Sequence, residues 1–214
     1  MIGYMMMNES DVRSKLDIMI PEPRCELNYT KDYELLIATV LSAQCTDVRV
    51  NMVTKKLWEK YDLSTLALAA KSDVMAIIRP VGTFNHKAGY IIAIAGKLMK
   101  ECGGKVPNDR EYLESLPGVG RKTCNVVLAN IFNVPTLAVD THVARVSKRL
   151  GIAKDKDKVY TIEKKLMKFF PKDKWTRLHH QLVLFGRYIC KAKKLDCEHC
   201  LLKEYCLYYK KNRI

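Results

Sequence analysis

Four cysteines crowd one end of the chain: Cys190, Cys197, Cys200 and Cys206 form the pattern C-x6-C-x2-C-x5-C. The loops between them are short enough to bring four thiolates around one centre. Disulfides are the alternative, and they belong to oxidising compartments. Yet no stretch approaches the ~18–20 apolar residues of a membrane span, and the apolar run Met1 to Met7 is too short for the core of an export signal. The expected setting is therefore intracellular, which leaves structural zinc or a 4Fe-4S cluster, and spacing alone does not choose between them. Between the first two cysteines lie Lys191, Lys193 and Lys194. A loop pinned by such a centre would project three ammoniums, a disposition suited to phosphate.

A second group sits mid-chain, where residues 116–123 read Leu-Pro-Gly-Val-Gly-Arg-Lys-Thr. Asn108 with Glu111 makes a capping-box-like start for a short helix that Pro117 and Gly118 end. A new helix follows at once, because Cys124, Val127, Leu128 and Ile131 recur at helical spacing and Lys122 falls nearly opposite them. Gly118 and Gly120 would let the backbone around Val119 turn tightly and offer amides, with the positive end of the second helix, to an anion such as a DNA phosphate. This is a helix-hairpin-helix, spanning about 108–132, with Arg121 adding charge. A lysine amine is a nucleophile only when neutral, and the start of a helix beside Arg121 disfavours the ammonium. The bland alternative for Lys122 is a phosphate contact. Asp140, eighteen residues on, opens another helix as its N-cap. A carboxylate held by amides stays ionised and could stabilise positive charge or move a proton. His142 reads as a structural or phosphate contact rather than a base.

The elements that must position these groups are helical throughout. Asp11 to Met19 makes a short amphipathic helix broken by Pro21 and Pro23. The run from Tyr33 to Cys45 is apolar nearly all round, as a central buried helix should be, and Asp47 is placed to cap the next, on which Val48, Met52, Val53 and Leu57 repeat. Further helical patterns cover 63–70, 72–78, 88–101, 159–170 and 175–189, with a loop over 79–87 and an extended stretch from Pro135 to Val139. The reading is all-α. The 214 residues can bury a real core, and the net charge of +14 with a pI near 9.4 suits a polyanionic partner. The charge is uneven: residues 25–135 hold 14 basic and 11 acidic side chains, residues 136–214 hold 20 and 8.

In combination, LPGVGRKT, VDTHV and the cysteine pattern resemble the endonuclease III family of DNA glycosylase/AP lyases, and LLIATVLSAQCTD resembles that family's central helix and following turn. The similarity covers roughly residues 26–208. It implies a six-helix barrel domain over 25–135 and a second domain from both chain ends, 1–24 and 136–214, holding a 4Fe-4S cluster on Cys190, Cys197, Cys200 and Cys206, with DNA in the cleft between. It implies that Lys122 is a Schiff-base nucleophile and Asp140 the catalytic carboxylate, in a monomer that removes oxidised pyrimidines from double-stranded DNA and nicks abasic sites in the cytoplasm or nucleoid. Gln44 matches the glutamine that fills the space left by the flipped base. The position matching a leucine wedge in many relatives is Thr83, followed by Phe84, a departure from the pattern. A monofunctional adenine or mismatch glycosylase is the nearest alternative, and Lys122 argues against it. A non-catalytic iron-sulfur DNA-binding protein would account for charge and cysteines but not for Lys122 with Asp140.

Overall fold

The computed structural model describes residues 8–193 and 195–212, so Lys194 lies outside the described residues. Among them the secondary structure is helical with no strand. The chain divides into two compact units: Cys25–Phe132, and the residues up to Arg24 together with those from Asn133 onward.

Helix α1, Glu9–Met19, begins at Asn8, whose side chain accepts from the Asp11 amide. Helix α2, Asp32–Leu41, is buried at every position from Tyr33 to Leu41 and forms the centre of its unit. Helix α3, Asp47–Lys60, is capped by Thr46, not Asp47; the Thr46 hydroxyl accepts from the Arg49 amide. Its buried stripe is Val50, Val53, Thr54 and Leu57. Val48 and Met52, which share the helical spacing, instead lie on the outer side, 82% and 50% exposed.

Helices α4, Leu63–Ala67, and α5, Lys71–Ile78, lead to α6, Phe84–Cys102. The loop expected over 79–87 is thus shorter. It ends at Thr83, whose carbonyl accepts from the amides of His86 and Lys87, so Phe84 to Lys87 already belong to the helix. Helix α7, Arg110–Ser115, is capped by Asp109, which accepts from the amides of Glu111 and Tyr112. Asn108 does not cap it. Helix α8, Arg121–Phe132, is buried continuously from Thr123 to Ala129 and packs against α2 and α7.

In the second unit, α9 covers Thr141–Leu150, α10 Val159–Phe169, α11 Trp175–Tyr188 and α12 Leu207–Asn212. Helix α9 packs against α10, α11 and α12, and α1 returns from the N-terminal side to lie on α11. Val12 and Leu16 join Val143, Val146, Leu150, Leu182 and Phe185 in one core. Asp17 ties the join from outside, accepting from Arg177 at 2.9 Å and Gln181 at 2.8 Å.

Candidate nucleic-acid interface and iron-sulfur centre

In the unit of α2 to α8, the hairpin is built as its residues dictate. Gly118 has φ +77°, a left-handed conformation that glycine adopts without steric cost, and a Cβ there would come within 2.6 Å of Tyr90 Cδ2 on α6. Tyr90 thus packs on the turn itself. At Gly120 a Cβ would meet nothing within 4 Å, so this glycine keeps open space in front of the start of α8. Val119, between them, is 5% exposed, and its amide donates to Leu116 O at 3.1 Å. Its side chain plugs the turn and its N–H closes it. Arg121 is exposed and Lys122 half-buried, both in the first turn of α8, a helix whose burial from Thr123 to Ala129 fixes its position.

Two loops of the same unit carry Gln44 and the Thr83–Phe84 pair. Gln44 is exposed with φ +55°, and Thr83 is exposed with φ +56°. Left-handed backbone at a residue bearing a Cβ is uncommon and costs energy, and such residues gather at functional sites. Phe84 is half-buried.

The other unit holds Asp140, His142 and the cysteines. Asp140 is the N-cap of α9: its Oδ1 accepts from the Val143 amide at 2.8 Å. His142 Nδ1 lies 3.3 Å from Arg145 Nη2. A guanidinium can only donate, so Nδ1 accepts and Nε2 is the nitrogen left to donate. Arg145 is itself fixed by Gly186 O at 2.6 Å and Cys190 O at 3.2 Å. Gly186 is required where α11 meets this corner, since a Cβ there would lie 2.9 Å from His142 Cβ.

Cys190, Cys197, Cys200 and Cys206 line one cavity, closed by Phe185 and Leu202. Among the described residues no group of three or more His, Cys, Asp or Glu side chains is disposed to hold a metal ion. Burial pushes the Cys200 thiol up to about 11 and raises Cys197 and Cys206, and the nearby Cys190 adds to each shift. Buried thiolates side by side need a cationic centre to offset their charge. The Tyr209 amide donates to Cys206 Sγ at 3.5 Å. Hydrogen bonds of that kind set the properties of a sulfur-bound cluster.

Arg149, which helical spacing puts on the outer face of α9, organises the first loop of the centre. Its guanidinium donates to Cys190 Sγ at 3.2 Å and to the carbonyls of Cys190, Lys191 and Ala192 at 3.3, 2.7 and 3.4 Å. It also lies 4.6 Å from the Tyr208 ring centre. With the loop carbonyls turned to Arg149, Lys191 and Lys193 stay exposed.

A hairpin with bare glycines before a lysine, a helix-capping aspartate and a four-cysteine cavity are the equipment of a helical base-excision glycosylase. The family model of the HhH-GPD superfamily base excision DNA repair protein matches residues 37–172. Endonuclease III of Bacillus subtilis is 47% identical over 193 residues, 90% of this chain and 88% of the relative, and endonuclease III of Escherichia coli K12 is 44% identical over 192 residues, 89% and 90%. Among solved structures, a trapped endonuclease III–DNA covalent intermediate superposes with a TM-score of 0.92 at 44% identity, covering 98% of this chain and 100% of the other. A non-covalent endonuclease III–DNA complex gives the same TM-score at 97% and 99% coverage. The chain belongs to the endonuclease III family of DNA repair enzymes within the HhH-GPD superfamily.

Proposed function

We propose that this enzyme is a bifunctional DNA glycosylase/AP lyase that removes oxidised pyrimidines from duplex DNA through a covalent intermediate on Lys122. The observation that carries the reading is the setting of Lys122: first turn of a helix anchored in the core, two residues after a glycine that leaves the approach open. Similarity to a protein trapped covalently on DNA supports the same assignment.

A stacked base is out of reach, so the nucleotide is flipped out, at a cost of a few kcal/mol that a damaged base lowers. Lys122 Nζ attacks the anomeric carbon as the bond to the base breaks, and the base leaves with the bonding electrons and takes up a proton. The iminium formed by ring opening acidifies the neighbouring sugar hydrogen. Its loss to a base expels the 3′ phosphate, and water then releases Lys122. The carboxylate of Asp140 stabilises positive charge on the sugar or assists proton movement. Gln44 and the Thr83–Phe84 pair fill and wedge the duplex, while the amides near Gly118 and Gly120 with Arg121, together with His142, Lys191, Lys193 and Lys194, hold phosphates.

The four cysteines fit a 4Fe-4S cluster, which their shared cavity and the Tyr209 amide on Cys206 support. When bound it supplies a structural clamp for the C-terminal segment. The enzyme is proposed to act as a monomer on DNA in the cytoplasm.

Borohydride trapping on a duplex with one oxidised pyrimidine tests the reading. The wild type should give a covalent adduct, and Lys122→Gln should give none while still binding the duplex. An adduct formed by Lys122→Gln at the wild-type rate would assign the nucleophile elsewhere.

A further inference from the structure

Lys87 is 4% exposed, a rare place for a lysine. Burial lowers its affinity for a proton, yet the side chain is well partnered. Its Nζ donates to Leu41 O at 2.9 Å and to Ala43 O at 2.7 Å. Leu41 ends α2, where the last carbonyls lack helical partners and a cation is favoured by the dipole. The carbonyl of Ala43 belongs to the peptide that leads into Gln44. Meanwhile the main-chain N–H of Lys87 donates to Thr83 O at 3.1 Å.

The side chain of Lys87 therefore grips the chain on the N-terminal side of Gln44, while its backbone belongs to the first turn of α6, closed on Thr83 O. Only three non-glycine residues among those described have positive φ: Gln44, Thr83 and Asn133. Two of the three, Gln44 and Thr83, stand beside the bonds that Lys87 makes: Gln44 next to the carbonyl its amine holds, and Thr83 at the start of the helix that carries it. The loops also run close together there, because a Cβ on Gly82 would lie 3.9 Å from Gln44 O. Such backbone persists only where surrounding contacts over-determine it.

We propose that Lys87 is a positioning residue that latches the Gln44 loop to the Thr83–Phe84 loop, so that both enter the duplex as one preset wedge. The proposal rests on the reading of those two loops as the parts that penetrate DNA. A neutral side chain of similar length would leave the carbonyls of Leu41 and Ala43 without their donor and free Gln44 to leave its left-handed conformation.

The test uses the full-length, cluster-loaded enzyme and a duplex carrying one oxidised pyrimidine with 2-aminopurine next to it, whose fluorescence rises when the stack is opened. Lys87→Met, Lys87→Arg and Gln44→Ala are compared with the wild type for that rise, for single-turnover excision and for binding to undamaged duplex. Lys87→Met should lose most of the rise and slow excision by about 10- to 100-fold, the range for small misplacements of a site. Binding to undamaged duplex should stay near wild type, and Lys87→Arg, which keeps a cationic donor, should recover part of the signal. Circular dichroism checks folding. If Lys87→Met does not fold, Lys87→Gln, whose shorter amide cannot span both carbonyls, must show the same loss of fluorescence. Full fluorescence and full excision in the folded neutral variant, with Gln44→Ala impaired, would overturn the latch and leave the DNA reading intact. Wild-type behaviour of Gln44→Ala would overturn the DNA reading of the loop, and the latch with it.

Discussion

Asp140 carries two roles that a single substitution can separate. Its carboxylate caps α9 by accepting from the Val143 amide, and the same oxygens supply the negative charge that the chemistry is proposed to use. Asparagine caps a helix about as well as aspartate, whereas alanine loses about 0.5–2 kcal/mol. Asp140→Asn should therefore keep the thermal midpoint near that of the wild type while excision falls by about 10²- to 10⁴-fold, the usual contribution of a positioned acid–base group. Asp140→Ala should show the same kinetic loss with a lower midpoint. Thermal melts alongside single-turnover kinetics decide the matter. Excision unimpaired in Asp140→Asn would reduce Asp140 to a cap.

At the scale of elements, the two hairpin glycines differ in kind. Gly118→Ala forces a side chain into left-handed backbone, costing about 1–2 kcal/mol, and against the Tyr90 ring. It should lower stability and DNA affinity together. Gly120→Ala meets no neighbour, so it should leave the melt unchanged and weaken binding to damaged and undamaged duplex alike, because a phosphate contact positions without specifying. If Gly120→Ala binds like the wild type, the open space there serves no phosphate. The all-helical architecture and the buried centre of α2 were legible in hydrophobic spacing, as were the hairpin and the aspartate cap. Cap positions slipped by one residue at Thr46 and Asp109, since adjacent Thr, Asn and Asp side chains all carry a suitable acceptor and only the backbone turn selects among them. The first turn of α6 was hidden because Thr83 caps with its carbonyl rather than its side chain. Lys87 did leave a trace. It occupies the stripe continued by Ile91, Ile94 and Leu98, and a lysine on an apolar stripe marks a buried donor in search of carbonyls.

Over the whole molecule, two global properties should be separable: the clamp made by the cysteines and the field made by the charge. The C-terminal segment beyond α11 buries few side chains, chiefly Leu202 and Tyr205, and α12 docks through Leu207 against Gly151. So little apolar surface holds such a segment weakly, and binding energy of a metal centre is folding energy for it. Cys200→Ala should lose iron and sulfide and expose residues beyond 190 to proteolysis, while α2 to α8 keep their helicity. One zinc and no sulfide per wild-type chain would rule out the 4Fe-4S assignment.

The charge leads to a different expectation, because the net +14 is concentrated in the C-terminal third. Binding driven by release of counterions from phosphates makes the logarithm of affinity fall linearly with the logarithm of salt, by about 0.9 per contact on duplex DNA. Lys191 and Lys193 are exposed on a loop whose backbone Arg149 holds, so their ammoniums are free to meet phosphate without ordering the loop anew. Replacing both with glutamine removes charge and leaves that backbone anchor in place. The double variant should bind damaged and undamaged duplex more weakly by the same factor, with a salt slope shallower by about two. Its excision rate at saturating enzyme should match the wild type, since neither lysine takes part in the chemistry. A slope unchanged by the double substitution would mean that this loop faces away from DNA, and the basic surface that holds the duplex would then have to be sought elsewhere in the C-terminal third.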